Sequence, residues 1–240
     1  PLPTRREVSY AAWMTIQSGC DNSCAFCIVP QVRGPEVSRS FEDLVQEAKN
    51  LVSDGVSEIT LLGQNVNSYG RDLTLKLRSQ TPSDVDKSIA GSIWASNKKR
   101  TPRPLFADLL RSIGDIPDLR RVRYTSPHPK DLREDVMYAM AETSSVCEHL
   151  HFPLQSGSDS ILSRMHRGYT AEKYLQRIEQ ARSIVPDLAV TTDIIVGFPG
   201  ETESDFEQTL EVAANAEFDS GCTFVFSPRP GTEAAEMEED

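Results

Sequence analysis

Three thiols, Cys20, Cys24 and Cys27, lie within eight residues of one another. At spacings of four and three, their thiolates can wrap one corner of an iron–sulfur cube, and thiolates are the soft ligands that iron prefers there. A structural zinc would need a fourth ligand, and the first histidine after the group is His128, far along the chain. A closed ferredoxin-type cluster would need a fourth cysteine, yet neither Cys147 nor Cys222 sits in a matching pair. Three ligands on a four-iron cube leave one iron open to a substrate or cofactor. The plain alternative is three buried structural thiols. Cys147 and Cys222 read as core or near-core thiols. Five cysteines, bunched this way behind no basic-then-apolar leader, make a poor disulfide framework and point to a reducing compartment.

Short apolar runs alternating with amphipathic stretches must position that group. Strands are expected at residues 11–17, 58–62, 122–124, 150–154, 189–196 and 222–226. Helices are expected after Ser40 as far as Gly55, at 105–113, from about Leu132 to Ala141, from Ala171, and after the cap Thr202. The inward faces read as Leu44, Ala48, Leu51 and Val52 in the first helix, Tyr174, Ile178, Ala181 and Val185 in the fourth, and Phe206, Leu210 and Ala213 in the last. Six strand-then-helix units imply α/β architecture with a parallel sheet, a partial (βα)6 TIM-like barrel that stays open. Chemistry in such folds sits at the carboxyl ends of strands, and each unusual motif here follows an expected strand. Gly63-Gln64-Asn65 ends the second, with a glycine that permits close main-chain approach. Gln155-Ser156-Gly157-Ser158 ends the fourth, with groups suited to a ribose or carboxylate, or to capping a helix. His128 follows the third and is either a substrate contact or a loop hydrogen-bonder; His149, His151 and His166 show no metal-ligand spacing.

The 240 residues carry 25 Lys+Arg against 36 Asp+Glu, a formal charge of −11, which argues against a free-standing nucleic-acid binder while leaving RNA open as a substrate. No apolar run approaches the ~20 residues of a membrane span. Residues 71–104 break the rhythm, with eight Lys/Arg against three Asp/Glu. They read as a polar loop inserted outside the core, whose deletion over 73–101 costs little stability. Lys98, Lys99, Arg100 and Arg103 there are candidates for touching RNA phosphates. The chain begins at Pro1 rather than Met, which suggests a segment of a longer protein.

Cys-x3-Cys-x2-Cys with the aromatic Phe26 before the last cysteine resembles the radical S-adenosylmethionine (SAM) superfamily. A longer string of motifs, from Gly19-Cys20-Asp21-Asn22 through Leu61–Gly70, Thr125–Pro129, Pro153–Ser158, Met165–Tyr169, Asp193–Glu201 and Ser227–Thr232, is similar to the methylthiotransferases. Within them, Gly-Gln-Asn-Val-Asn-Ser-Tyr resembles the branch that modifies prenylated adenosine in tRNA.

The resemblance implies a [4Fe-4S] cluster on Cys20, Cys24 and Cys27, with SAM chelated at the open iron. It implies SAM contacts from Phe26, Gly63, Gln64, Asn65, Gln155, Ser156, Ser158, Arg167, Asp193 and Gly197. Arg167 would meet the SAM carboxylate and Gly197 the adenine, while Glu201 lies one position off the usual acid. His128 and Arg229 would face substrate, and no catalytic side chain is assigned. The implied reaction places a methylthio group on carbon 2 of N(6)-dimethylallyladenosine beside the tRNA anticodon, one SAM giving the methyl and another the radical. An electron donor such as flavodoxin or ferredoxin is implied, with a cytoplasmic, monomeric, membrane-free enzyme. Residues 1–240 would be the core domain. An N-terminal domain with a second [4Fe-4S] cluster and a C-terminal RNA-binding domain would lie outside them. Alternatives are methylthiolation of another tRNA base or of a ribosomal protein, or a non-catalytic iron–sulfur module.

Overall fold

The computed structural model describes residues 8–80 and 85–237. Pro1, residues 81–84 of the insertion and the acidic end at 238–240 lie outside the described residues. The chain divides into two compact units, the first holding residues up to Ser18 with Glu36–Thr125 and Arg133–Cys147, the second holding Gly19–Pro35, Ser126–Leu132 and the residues from Glu148 on.

The first unit is built on three parallel strands in the order β1 (Ala11–Thr15), β4 (Glu58–Leu62), β5 (Arg121–Tyr124). Ala11 is opposite Glu58, and Glu58 opposite Arg121. A two-residue antiparallel pair, β2 (Gln17–Ser18) with β3 (Val37–Ser38), follows β1. The sheet alternates in the manner expected of strands covered on one face: Ala12, Met14, Ile59, Leu61, Val122 and Tyr124 are buried. Helix α2 (Phe41–Ser53) buries Phe41, Leu44, Val45 and Ala48, so the inward face runs nearer its start than Leu51 and Val52 suggested. Ser40 does not cap it by its side chain; that hydroxyl donates to the Ser88 carbonyl at 2.9 Å. Helices α5 (Phe106–Gly114) and α6 (Glu134–Glu142) complete the layer, with Phe106 edge-on to Tyr124 at 5.1 Å between ring centres.

The insertion is not a loop. It contains α3 (Arg71–Leu77) and α4 (Lys87–Ala95) and contributes Leu73, Leu77, Ala90, Ala95 and the 2 % exposed Trp94 to the core. The Trp94 indole N–H donates to the Thr101 carbonyl at 3.0 Å, and a Cβ on Gly91, at φ 73°, would meet the Phe41 ring at 3.1 Å. Both helices are shorter than three turns and densely charged at their ends, so their apolar periodicity is too brief to register in the sequence. Two of the suggested RNA-binding cations are used internally: Arg103 pairs with Asp108 at 2.7 Å, and Arg100 donates to the Gln80 carbonyl at 2.6 Å.

The second unit repeats the three-stranded parallel sheet, in the order β6 (His149–His151), β7 (Ala189–Val196), β8 (Ser220–Val225). β6 is shorter than expected and continues only as a single bridge from Gln155 to Ile194. Its helices are α1 (Val29–Arg33), α7 (Asp159–Arg164), α8 (Ala171–Ile184) and α9 (Glu203–Ala216). Tyr174, Ile178, Ala181 and Val185 are buried as expected. In α9 the expected face is wrong: Asp205, Thr209, Val212 and Ala216 are buried, whereas Leu210 is 54 % exposed. Polar groups turn inward there because Thr209 and Asp205 satisfy the loop after β6. Cys222 is exposed on β8 rather than near the core.

Candidate functional site

In both units the unusual motifs leave the carboxyl ends of strands, where backbone groups are no longer spent on the ladder. The cysteine loop, in the second unit, is held from three sides. At its entry, Cys20 N donates to the Gly34 carbonyl at 3.2 Å. A Cβ on Gly19, at φ 76°, would meet the Pro35 carbonyl at 2.0 Å, so only glycine permits this approach. In its middle, Ala25 N donates to Met165 O at 3.1 Å and Cys27 N to Cys24 O at 3.0 Å, closing a turn between two of the thiols. On its far side the segment after β8 pins it, through Ala234 N to Ala25 O at 2.9 Å and the Arg229 guanidinium to Phe26 O at 3.3 Å. Beneath the loop lies an apolar cluster of Ala25, Ile161, Met165, Phe198 and Ala234, with Phe26, Ile195 and Phe226 packed against it.

Arg167 is 5 % exposed and spans two partners, Nη1 donating to the Cys24 sulfur at 3.3 Å and Nε to the Tyr169 hydroxyl at 3.2 Å. Tyr169 passes its own proton to the Leu154 carbonyl at 2.8 Å, so the guanidinium is locked by a fully used phenol. His128 closes the other side of Cys24, its Nε2 4.0 Å from the sulfur and its Nδ1 accepting from Lys130 N at 3.3 Å. Burial, reinforced by Arg167 and Lys130, pushes His128 down to about 2, so the ring is neutral and carries its proton on Nε2, toward the sulfur.

The expected cofactor residues divide into three groups. Gly63, Gln64 and Asn65 lie in the first unit; Gln17 Nε2 fixes their loop by donating to Asn65 O at 2.7 Å, and Gln64 Oε1 is buried without a partner among the described residues. A Cβ on Gly63 would meet the Gln17 side chain at 2.9 Å. Ser156 and Ser158 are 0 % and 1 % exposed and spend their hydroxyls on Thr209 and Asp205, at 3.3 and 2.5 Å. Their side chains brace the loop, since Ser158 caps α7 and Asp205 belongs to the capping box of α9. Gln155, by contrast, adopts φ 70°, a conformation costly for a non-glycine residue and concentrated at functional sites. Gly197, at φ 68°, has open space where a Cβ would be, and its N–H donates to Glu201 at 2.5 Å. Glu201 thus closes this turn, with burial raising its carboxyl above the ordinary range. Arg229 and Phe26 serve the loop itself: the guanidinium holds the Phe26 carbonyl and the Phe26 ring packs into the apolar cluster.

Sequence reasoning missed a polar cluster around Asp193. His151 Nε2 lies 3.3 Å from Asp193 Oδ2, and the Thr191 hydroxyl lies 3.1 Å from both His151 Nδ1 and His149 Nε2. The signal was present as His-x-His and Thr-x-Asp, alternation that puts each pair on one face of its strand, but only strand pairing brings the two together. His166 was also missed: at φ 56° it donates from Nδ1 to Ser23 O at 3.1 Å, beside Cys24.

No three His, Cys, Asp or Glu converge as a single-ion site among the described residues. A four-iron cluster does not ask for convergence, since each cysteine meets a different iron. The chemistry of the donor set fits such a group: three thiols on one braced loop, with a buried guanidinium and an N–H directed at one sulfur to offset anionic charge. The radical SAM superfamily profile matches residues 14–213, and the chain belongs to that superfamily, which uses a [4Fe-4S] cluster and SAM.

Within it, the chain is 52 % identical over 236 residues to the tRNA-2-methylthio-N(6)-dimethylallyladenosine synthase 1 of Mycobacterium marinum and to the synthase of Salinispora arenicola. These matches cover 98 % of this chain and 42 % of each relative, so the chain spans less than half the length of those curated relatives. Among solved structures, the fold is similar to the radical SAM methyltransferase TsrM of Kitasatospora setae, at TM-score 0.63 and 15 % identity over 94 % of this chain and 38 % of that one. Escherichia coli coproporphyrinogen III oxidase matches at TM-score 0.54 and 16 % identity, over 94 % and 46 %. This agrees with the α/β class expected from six strand-and-helix units.

Proposed function

We propose that this chain is the core domain of a methylthiotransferase that places a methylthio group on carbon 2 of N(6)-dimethylallyladenosine in tRNA, beside the anticodon. The observation that carries this reading is the 52 % identity sustained over 98 % of the chain to synthases of that name. Cys20, Cys24 and Cys27 would hold the [4Fe-4S] cluster. When bound, that group supplies the electron that breaks a carbon–sulfur bond of SAM, chemistry needed because acid and base groups cannot readily activate an aromatic C–H.

The chain's own residues prepare the place. Arg167 and neutral His128 fix Cys24 and lower the cost of its negative charge, with no proton to exchange near neutral pH. The apolar cluster under the loop excludes water. The Gly63-Gln64-Asn65 turn offers an orphaned amide oxygen suited to an ammonium group, which supports its assignment to the SAM amino end. Gln155, Gly197 and the His151–Asp193 pair offer the remaining contacts, with the ring holding the carboxylate oriented.

Among the described residues no helix is long and apolar enough to cross a membrane. The reading places the enzyme in the cytoplasm as a monomer, with tRNA as substrate and a flavodoxin or ferredoxin as electron donor. The sulfur-handling second cluster and an RNA-binding domain are assigned to sequence outside these 240 residues. The test is mass spectrometry of tRNA from a strain lacking the gene, with anaerobic reconstitution and detection of 5′-deoxyadenosine from SAM and a reductant. Loss of the methylthio nucleoside and its return on complementation are expected; its persistence in the deletion strain rejects the reading.

A further inference from the structure

Helix α8 separates its charges. Glu172 and Glu179, with Arg182, line a groove toward Asn215 and Ala216 on one side, while Lys173 and Arg177 line a cavity with no acidic side chain on the other. That cavity, of about 450 Å³, lies wholly in the second unit, is walled by Tyr169 and Tyr174, adds Lys130, and has no Asp or Glu in its lining. Lys130 already holds Asp131 at 2.6 Å. Arg177 meets only the neutral Gln180 amide, at 2.8 Å, and neither Lys173 nor Arg177 has a carboxylate at ion-pair distance among the described residues. In a chain with 36 acidic and 25 basic side chains, this local excess of cations is conspicuous.

Two features of the placement work against the helix unless an anion sits there. Lys173 is in the first turn of α8, where the helix end is itself positive, and Lys173 and Arg177 are a like-charged pair four apart. The cavity also has a defined relation to the cysteine loop. Its wall, Tyr169, takes the Arg167 Nε–H on its hydroxyl, and Arg167 in turn donates to Cys24. Two side chains in series, Tyr169 and Arg167, therefore link the cavity to a thiol.

We propose that this cavity seats a phosphodiester of the RNA strand, with Lys173 and Arg177 as its principal donors, so that the polyanionic substrate is gripped directly behind the cysteine loop. A guanidinium and an ammonium on one helix face match the charge and donor geometry of a phosphate. The inference rests on the tRNA reading above and adds the place of contact.

The experiment measures binding of an anticodon stem-loop RNA to the whole chain by fluorescence anisotropy across a salt series. Lys173→Gln with Arg177→Gln is expected to weaken binding and to flatten the slope of log affinity against log salt by about 1, one phosphate contact being lost. Glu172→Gln with Glu179→Gln, on the opposite face, is expected to leave the slope unchanged. Lys173→Arg with Arg177→Lys should retain it, separating charge from helix integrity. An unchanged slope in the first double variant overturns the inference, as does loss of inorganic-phosphate binding with RNA binding intact. If the slope falls as expected while the wild-type enzyme yields no methylthio nucleoside in tRNA, the inference stands and the proposed reaction does not.

Discussion

The two units share one architecture, three parallel strands with loops at their carboxyl ends, yet what their interiors support differs. The first is filled with apolar volume: Trp94, Tyr69, Phe106 and Leu105 are all buried to within 2 %. It buries polar groups too, among them Gln17, Asn67 and Thr74, whereas in the second the Arg167 guanidinium, buried with Ser156, Ser158 and Thr209, reaches a cysteine sulfur. Left-handed non-glycine residues occur in both units, Arg100 and Asp118 in the first, and in the second Ser126, Gln155 and His166 stand beside the motifs. Apolar packing accepts many arrangements of similar volume, whereas a buried polar network is satisfied by few. A loop that must hold three sulfurs in fixed places draws on such a network through Arg167.

The largest effect expected concerns the thiols. Cys20→Ala, Cys24→Ala and Cys27→Ala should each abolish SAM cleavage and reduce bound iron, while Cys222→Ala, on the exposed edge strand, should leave iron content unchanged. Colorimetric iron and 5′-deoxyadenosine assays read both, and full iron in Cys24→Ala would remove the cluster from this loop.

Next comes the packing of the first unit. Trp94→Ala should cost about 3–5 kcal/mol, seen as a lowered denaturant midpoint, because a buried indole leaves a cavity in the core. Iron bound per folded chain should not change; if it fell in proportion, the two interiors would not be separable.

Arg167→Lys should sharpen the contrast, since an ammonium keeps the charge but cannot bridge Cys24 and Tyr169. Losing a charge-assisted bond worth about 1.5–3 kcal/mol predicts roughly a 10- to 150-fold slower SAM cleavage. Cleavage at the wild-type rate would show that the fork does not matter.

The smallest effect expected is at Asp205, whose carboxyl is held below its ordinary range by the Ser158 hydroxyl and then by Thr202. A lowered native value means stabilisation complete above the unfolded carboxylate pKa of about 4 and lost as pH falls through the native one. Asp205→Asn should therefore cost about 1–2 kcal/mol at neutral pH and progressively less in acid, by denaturant melts across that range. A gap that widened on acidification would contradict this sign.

Spacing along the chain was enough to place Cys20, Cys24 and Cys27 together, because four and three residues of covalent chain already fix how far apart the sulfurs can lie. Six strands and the helices α2, α5, α6, α8 and α9 were legible for a similar reason: each carries a periodic apolar pattern longer than one turn or three alternations. The face of α9 was not legible, since Thr209 and Asp205 turn inward only to satisfy Gly157 and Ser158, about fifty residues earlier. The same holds for the packing of Trp94 beneath α2 and for the His149–Thr191–His151–Asp193 cluster, formed when β6 pairs with β7. It holds too for Arg167, whose fork the sequence offered to a ligand carboxylate and the fold directs at Cys24 and Tyr169. A residue's type and spacing determine which bonds it is able to make; which of them it makes depends on partners that arrive from distant sequence, and burial enforces that choice because an unmet polar group in the interior costs more than a different fold of the loop.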